Sequence, residues 1–357
     1  MDYEKILGRK PYSLKKEEKS KLYGEWLSEM TAYHRQNCDV YRKFLNGLHI
    51  PEGVKQEEEK IPMLPVGVFK DMELKSVPNH MIQKTMTSSG TIGQKVSKIY
   101  LDADTATNQQ RALAHIGADF FGTSRLPLLI MDRPDVLKNR NLFSARGAGI
   151  LGFSIFSSKI CYALNQDMEL DVNGIEEFLI GCQGNRVLIF GFTYIIWKYF
   201  YEVLRRSERK FNLKNAILIH GGGWKKLQAE SVSSDKFKNE IQEVIGIKTI
   251  HNYYGMAEQS GCIYMECSHG NLHASIYSDI ITRRPEDFSP CNRGEKGIIQ
   301  VLSPLPHSYP GHSILTEDEG IIMGEDDCPC GRLGKYFRVI GRISQAQIRG
   351  CSDTYEA

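Results

Sequence analysis

No apolar run in this 357-residue chain is long enough to cross a bilayer. The opening residues Met1-Asp2-Tyr3-Glu4-Lys5 lack the apolar core of a signal peptide, so the expected location is the cytoplasm. The most apolar stretch, Val187 to Leu204, is interrupted by Gly191, Lys198 and Glu202 and reads as a buried strand feeding a buried helix. Net charge is also nearly missing, at +2, and no basic block or basic-aromatic alternation occurs. Nucleic acid and anionic membrane are therefore not expected partners. Internal repeats and low-complexity segments are absent, as are a Walker loop and a G-x-S-x-G elbow. P-loop NTPases are disfavoured, and so are esterases, although His220-Gly221-Gly222-Gly223 copies an esterase oxyanion loop.

What is present is ordinary for a globular protein: 41% hydrophobic and 25% charged residues, enough chain for one large α/β core with small appendages. Nine cysteines without an export signal point to thiols, metal ligands or a nucleophile and not to a disulfide framework. Residues 14 to 46 show helical periodicity, with Leu22, Trp26, Met30 and Tyr33 on one stripe. From Leu126 to about Ile250 short apolar runs alternate with amphipathic stretches: Pro127 to Met131, Val172 to Ile180, Val187 to Phe190, Tyr194 to Arg205 and Ala216 to Ile219. Strand and helix in alternation imply crossover connections and a mostly parallel sheet. From Gly294 the chain turns β-rich, with strands expected at Gly297 to Ser303 and Gly320 to Met323. The expected division is a helical segment over 1–60, an α/β core over 61–293, a β-subdomain over 294–342 and a tail over 343–357.

The segment Thr87-Ser88-Ser89-Gly90-Thr91-Ile92-Gly93-Gln94-Lys95 joins two strand-like runs, Met81 to Met86 and Val96 to Leu101. Its glycines let backbone N–H groups turn toward an anion and its hydroxyls add donors, which suits a triphosphate. Further along come His220 to Trp224, then Tyr253-Tyr254-Gly255-Met256-Ala257-Glu258, then Leu315-Thr316-Glu317-Asp318, then Arg338 to Arg342. Glu258 follows the expected strand Lys248 to Asn252, where a carboxylate can bind a phosphate-bridging Mg²⁺. Gly221, Gly222 and Gly223 would let adenine lie flat, with Tyr253, Tyr254 and Gly255 near in sequence. Cys267-x5-His273 and Cys328-Pro329-Cys330 supply a candidate Cys₃His zinc site, with His269 as a substitute for His273. Gly191 to Trp197 follows a strand and offers aromatic walls for an acyl group, residues that core packing would use equally.

The ordered motif set resembles the adenylate-forming superfamily. Within it, Ile61 to Val66 with Phe69-Lys70, the phosphate loop, Gly221 to Lys225 and a cysteine near the C-terminus are similar to the acyl-protein synthetases of bacterial luminescence systems. The phenylacetate-CoA ligases come next, and some of those share the run Cys328 to Arg332. The resemblance implies an α/β fold: the large N-terminal domain of adenylate-forming enzymes, mostly parallel sheets flanked by helices, and a smaller β-subdomain. Only fifteen residues follow Arg342, so no C-terminal lid domain is expected. It further implies ATP and Mg²⁺, with Glu258 at the metal and Asp318 and Arg342 at the ribose or phosphate. Glu317 stands where the superfamily has glycine. Cys351 would be the acyl acceptor, with Arg349 favouring its thiolate. The implied reaction activates a fatty or similar carboxylic acid as acyl-AMP, loads the acyl group on Cys351 and passes it to a partner acyl reductase. A CoA ligase and a non-catalytic acyl-binding or scaffold protein are the alternatives.

Overall fold

The computed structural model describes residues 2–88, 95–137, 145–207, 209–224 and 230–343. The first stretch contains α1 (Tyr3–Leu7), α2 (Lys16–Asn37), α3 (Asp39–Gly47), β1 (Leu64–Pro65), α4 (Val68–Asp71), β2 (Lys84–Thr87), β3 (Lys98–Leu101) and α5 (Ala103–Phe121). There follow β4 (Leu126–Met131), α6 (Ala145–Ser154), β5 (Ser157–Tyr162), α7 (Val172–Ile180), β6 (Leu188–Phe192) and α8 (Thr193–Ile195). A π-helical stretch, Ile196–Tyr201, leads into α9 (Glu202–Arg205), β7 (Ile217–Gly221), α10 (Ser234–Ile245) and β8 (Thr249–Tyr254). The last stretch is β9 (Tyr264–Glu266), β10 (Leu272–His273), β11 (Asp279–Arg283), β12 (Lys296–Leu302), β13 (Ser313–Glu325) and β14 (Lys335–Arg342).

The chain forms two compact units, 117–254 and the remainder. Their borders fall inside α5 and after β8, inside the segment 61–293 that the sequence suggested as one core. Unit 117–254 is a parallel sheet in the order β8, β7, β6, β4, β5. Buried Leu129, Met131, Ile189, Leu218 and Ile250 on one face meet Ile175 of α7, Trp197 and Phe200 of the π-helical stretch, and Phe237 and Ile241 of α10. The opposite face meets α6, where Phe153 stacks on Phe190 at 4.4 Å. β4, β6, β7 and β8 were anticipated within two residues of their observed ends, because buried parallel strands read as short continuous apolar runs, whereas the largely exposed edge strand β5 was not anticipated.

The other unit is antiparallel in the order β11, β12, β13, β14, β10, β9, with β1 added in parallel to β13. The hairpin of β2 and β3 stands as a separate two-stranded sheet. Two helices occupy the expected helical span, parted at Cys38, whose backbone is extended. The buried stripe of α2 is Tyr23, Leu27, Met30 and His34, with Leu22, Trp26 and Tyr33 only half-buried. The shift has a polar cause. Lys19 and Tyr23 go inside because their tips bond the Ser278 and Ile276 carbonyls, both at 2.9 Å. Among the described residues no helix is long and apolar enough to cross a membrane.

Candidate active site and metal centre

The strands flanking the loop that the sequence suggests for phosphate pair in register, Thr87 opposite Lys98, and Ser88 closes the hairpin. Its N–H donates to the Ser97 carbonyl at 3.1 Å, and its Oγ accepts from the Ser97 N–H at 2.9 Å. Lys95 is tied to Asp71 of α4 at 2.9 Å. Ser89, Gly90, Thr91 and Gly93 lie outside the described residues.

Glu258 sits in the same unit on a tight turn, Ala257–Gln259, and is 5% exposed. Its backbone carbonyl accepts from the Tyr309 hydroxyl at 2.9 Å, and the Tyr309 ring packs on Phe69 of α4. Burial pushes the Glu258 carboxyl above its usual range; the neighbouring Ser97 hydroxyl and Lys70 only partly offset this, and Glu317 adds to it. The Ser97 Oγ is itself buried outside hydrogen-bonding geometry with any described residue. Among the described residues no cation reaches ion-pair distance of Glu258, although Lys70, exposed and unpaired among them, is near enough to act on it. A buried carboxylate with room for positive charge is the donor type that a hard divalent cation selects.

Asp318 and Arg342 stand directly opposite each other on β13 and β14, with Nε and Oδ1 3.7 Å apart. Thr316 organises this turn: its Oγ1 accepts from the Asp318 N–H at 3.1 Å and donates to the Ile299 carbonyl at 2.7 Å. The two residues assigned to ribose or phosphate are therefore cross-strand partners, 24 positions apart in sequence.

In unit 117–254 the C-terminal strand ends line up, Gly191 opposite His220 and Gly221 opposite Tyr253. A Cβ on Gly221 would come within 2.6 Å of the Tyr253 ring, and one on Gly222 within 2.3 Å of Phe192. These two glycines make room for protein rings; Gly223, at φ +63°, alone of the three has open space beside it. His220 is buried on β7, its Nδ1 2.9 Å from the Thr193 hydroxyl, and burial lowers its pKa to about 3. That hydroxyl donates to the Gly221 carbonyl at 3.1 Å, so His220 Nδ1 carries the proton. Asp132, just past β4, takes the Arg146 guanidinium of α6 through both carboxylate oxygens. The sequence reading passed over this pair. A lone arginine in the small-residue run Arg146-Gly147-Ala148-Gly149 gives no signal until the fold brings it beside a strand end.

Cys267, His273, Cys328 and Cys330 converge with all four ligand atoms within 4.8 Å of one another. Two thiolates on one tetrahedral zinc at about 2.3 Å lie about 3.8 Å apart, and a thiolate and an imidazole nitrogen about 3.6 Å apart. Here the Cys267 and Cys328 sulfurs are 3.9 Å apart, and Cys330 Sγ is 3.3 Å from His273 Nε2. The Asn271 amide donates to Cys328 at 3.8 Å, and the His269 N–H to Cys267 at 3.4 Å. Burial raises the Cys267 thiol. Cys330 is brought below its usual value despite burial by the Arg332 N–H and its neighbouring thiols. The exposed side chain of His269 is outside the group, whereas His273 on β10 is within it. The donor set and spacing fit zinc.

The family model for acyl-protein synthetase, LuxE, matches residues 2–357. This chain belongs to that family. It is 22% identical over 349 residues to the long-chain-fatty-acid–luciferin-component ligase of Vibrio harveyi, covering 94% of this chain and 88% of the relative. The ligase of the same name from Aliivibrio fischeri is 24% identical over 367 residues, covering 97% and 91%. In fold the chain is similar to a 2-hydroxyisobutyryl-CoA ligase in complex with 2-HIB-AMP and CoA, at TM-score 0.70 and 15% identity, over 94% of this chain and 72% of that one. The acyl-protein synthetase is thus a ligase-family enzyme on the α/β fold of such ligases.

Proposed function

We propose that this acyl-protein synthetase activates a fatty or similar carboxylic acid with ATP. The observation that supports it best is Glu258, buried beside the Ser88–Ser97 hairpin with no ion pair among the described residues, in a chain matched over 2–357 by its family model. A carboxylate oxygen of the acid attacks the α-phosphorus, the bond to the bridging oxygen breaks, and pyrophosphate leaves. Glu258 would hold Mg²⁺, which when bound neutralises phosphate charge. The hairpin holds the phosphates, Gly223 and Tyr253 the adenine, and Asp318 with Arg342 the ribose or phosphate. Cys351, outside the described residues, then attacks the acyl carbon as thiolate and AMP leaves with its phosphate oxygen. The thioester passes to a partner acyl reductase, a step carried over from the family resemblance; the names of the relatives give a long-chain fatty acid and a luciferin component.

The test is acid-dependent exchange of pyrophosphate into ATP, followed by labelled-acid capture. Wild type should give exchange and a hydroxylamine-sensitive protein adduct, and Cys351→Ser exchange without the adduct. Exchange with CoA consumed and no adduct on either protein would replace this reading with a CoA ligase, the activity in the name of the similar structure. Binding of acid without exchange would leave only an acyl-binding protein.

The same reading includes structural zinc at Cys267, His273, Cys328 and Cys330. Its support is the four-ligand spacing. Cys328 and Cys330 sit between β13 and β14, while His273 stands opposite Tyr336 of β14, so the metal would staple that ladder. Purified protein should carry about one zinc per chain. Folded, active protein without zinc would remove the assignment.

A further inference from the structure

The cation at the end of β4 has more donors than its partner uses. Asp132 is 3% exposed at its side chain and Arg146 16%. Asp132 Oδ2 accepts from Arg146 Nε at 2.9 Å, Oδ1 accepts from Nη2, and Oδ1 also accepts the Arg133 N–H at 2.8 Å. The carboxylate is therefore fixed, and it fixes the guanidinium plane by a two-point bond. A guanidinium has five N–H groups. Two are committed here, and Nη1 has no acceptor among the described residues. An ion pair whose only task was to tie α6 to β4 would not need an arginine edge left unused.

The position of that edge favours a ligand. Parallel sheets bind ligands beyond the carboxyl ends of their strands, and Asp132 follows the last residue of β4. Arg146 lies on the first turn of α6, and Gly149, three residues on, shares its face. A Cβ on Gly149 would be 3.0 Å from the Phe190 ring and 3.5 Å from the Tyr253 hydroxyl. One further turn along, Phe153 lies 5.4 Å from the Tyr253 ring, which itself closes on Gly221. The face that begins with Arg146 thus lies over the same ring that flanks the glycine loop.

We propose that Arg146, braced by Asp132, is an oxyanion-binding residue of this unit and takes the carboxylate of the acid substrate; a nucleotide phosphate is the other source of the same chemistry. The inference rests on the adenylation reading above. One N–H of Nη1 and the second N–H of Nη2 run parallel and present a two-point fork to the anion, and Asp132 is the positioning residue. A neutral headgroup of the same size cannot use them equally.

Two measurements test it. In pyrophosphate exchange, Arg146→Gln combined with Asp132→Asn, which leaves no unpaired buried charge, should raise the KM for acid about tenfold, the worth of one charged hydrogen bond, with the KM for ATP nearly unchanged. Arg146→Lys should recover part of the loss. A rise in the KM for ATP alone supports the oxyanion site with phosphate as its anion. The second measurement is direct binding of a saturated fatty acid and the alcohol of equal chain length, which requires no catalysis. Wild type should prefer the acid by about tenfold, and the double variant should bind both alike. Unchanged KM values and an unchanged acid preference in a double variant that melts cooperatively overturn the proposal. A wild type that prefers acid over alcohol yet shows no exchange defeats the adenylation reading and leaves Arg146 in place.

Discussion

Asp279 and Glu258 are buried to nearly the same depth, 1% and 5% exposed, and their acidities move in opposite directions. Burial alone would raise both. Asp279 is held well below the usual carboxylate range because Lys19 stands 3.4 Å away and Lys335 3.2 Å away, Lys335 also meeting Glu58 at 2.9 Å. Glu258 has no ion pair among the described residues and stays raised. Depth therefore does not tell a structural carboxylate from one kept for a ligand; the count of cations around it does. The first region is two lysines and two carboxylates closed on themselves. In the proposed function the second would take its compensation from a cation that arrives with the substrate.

Paired substitutions break the comparison at its strongest point. Asp279→Asn leaves two ammonium groups facing one carboxylate and should cost about 3–5 kcal/mol, read from urea unfolding. Glu258→Gln removes an uncompensated charge, so its unfolding midpoint should hold or rise. Its exchange activity should fall about a hundredfold or more, the scale for losing one preorganised electrostatic contact at the reacting phosphate. A Glu258→Gln protein that exchanges normally but unfolds as easily as Asp279→Asn would reverse the two assignments.

The contrast also marks how far sequence carried. The buried strands were legible because Leu128, Ile189 and Leu218 sit in runs that only burial explains; α6 and the exposed edge strand β5 carry no such run and were missed. The Cys/His cluster was legible because thiols and imidazole are chemically rare, yet placing His273 and not His269 in it needed β10 to turn one inward. The Asp318–Arg342 pairing required a β-ladder register that motif order does not contain. Lys19 went unseen because its neighbours Lys16, Glu17, Glu18 and Lys21 make a solvated face in any hydropathy reading, and its partner Asp279 is 260 residues away. Arg146 was hidden for the same reason, since Asp132 defines its role only in space. What a sequence pattern shows is which residues must be inside; which charges compensate one another is a property of the fold.

A smaller effect, set by pH, sharpens the same rule with histidines. His34 and His312 are buried with rings stacked 5.0 Å apart and, among the described residues, no carboxylate bonded to either; burial holds His34 well below its usual value and His312 at about 3. Thr31 donates to the Leu27 carbonyl at 2.8 Å, so at 3.0 Å it accepts from His312 Nε2–H. That leaves Nδ1 bare and, among the described residues, without a partner, so a proton added there has no acceptor. The folded pKa lies below the unfolded value of about 6.5, hence the unfolded chain binds the proton first. Stability attributable to neutral His312 is intact above that value and declines as pH falls from about 6.5 toward 3, by about 2 kcal/mol at pH 5. Glu58 and Glu258, raised by burial, shift the opposite way over the same range, so the wild-type curve alone would mix the signs. His312→Gln isolates the histidine, because glutamine keeps an N–H for Thr31 and does not titrate. The stability advantage of wild type over His312→Gln should shrink by about 2 kcal/mol between pH 7 and pH 5. A difference that stays constant across that interval would show that His312 finds compensation the fold does not display.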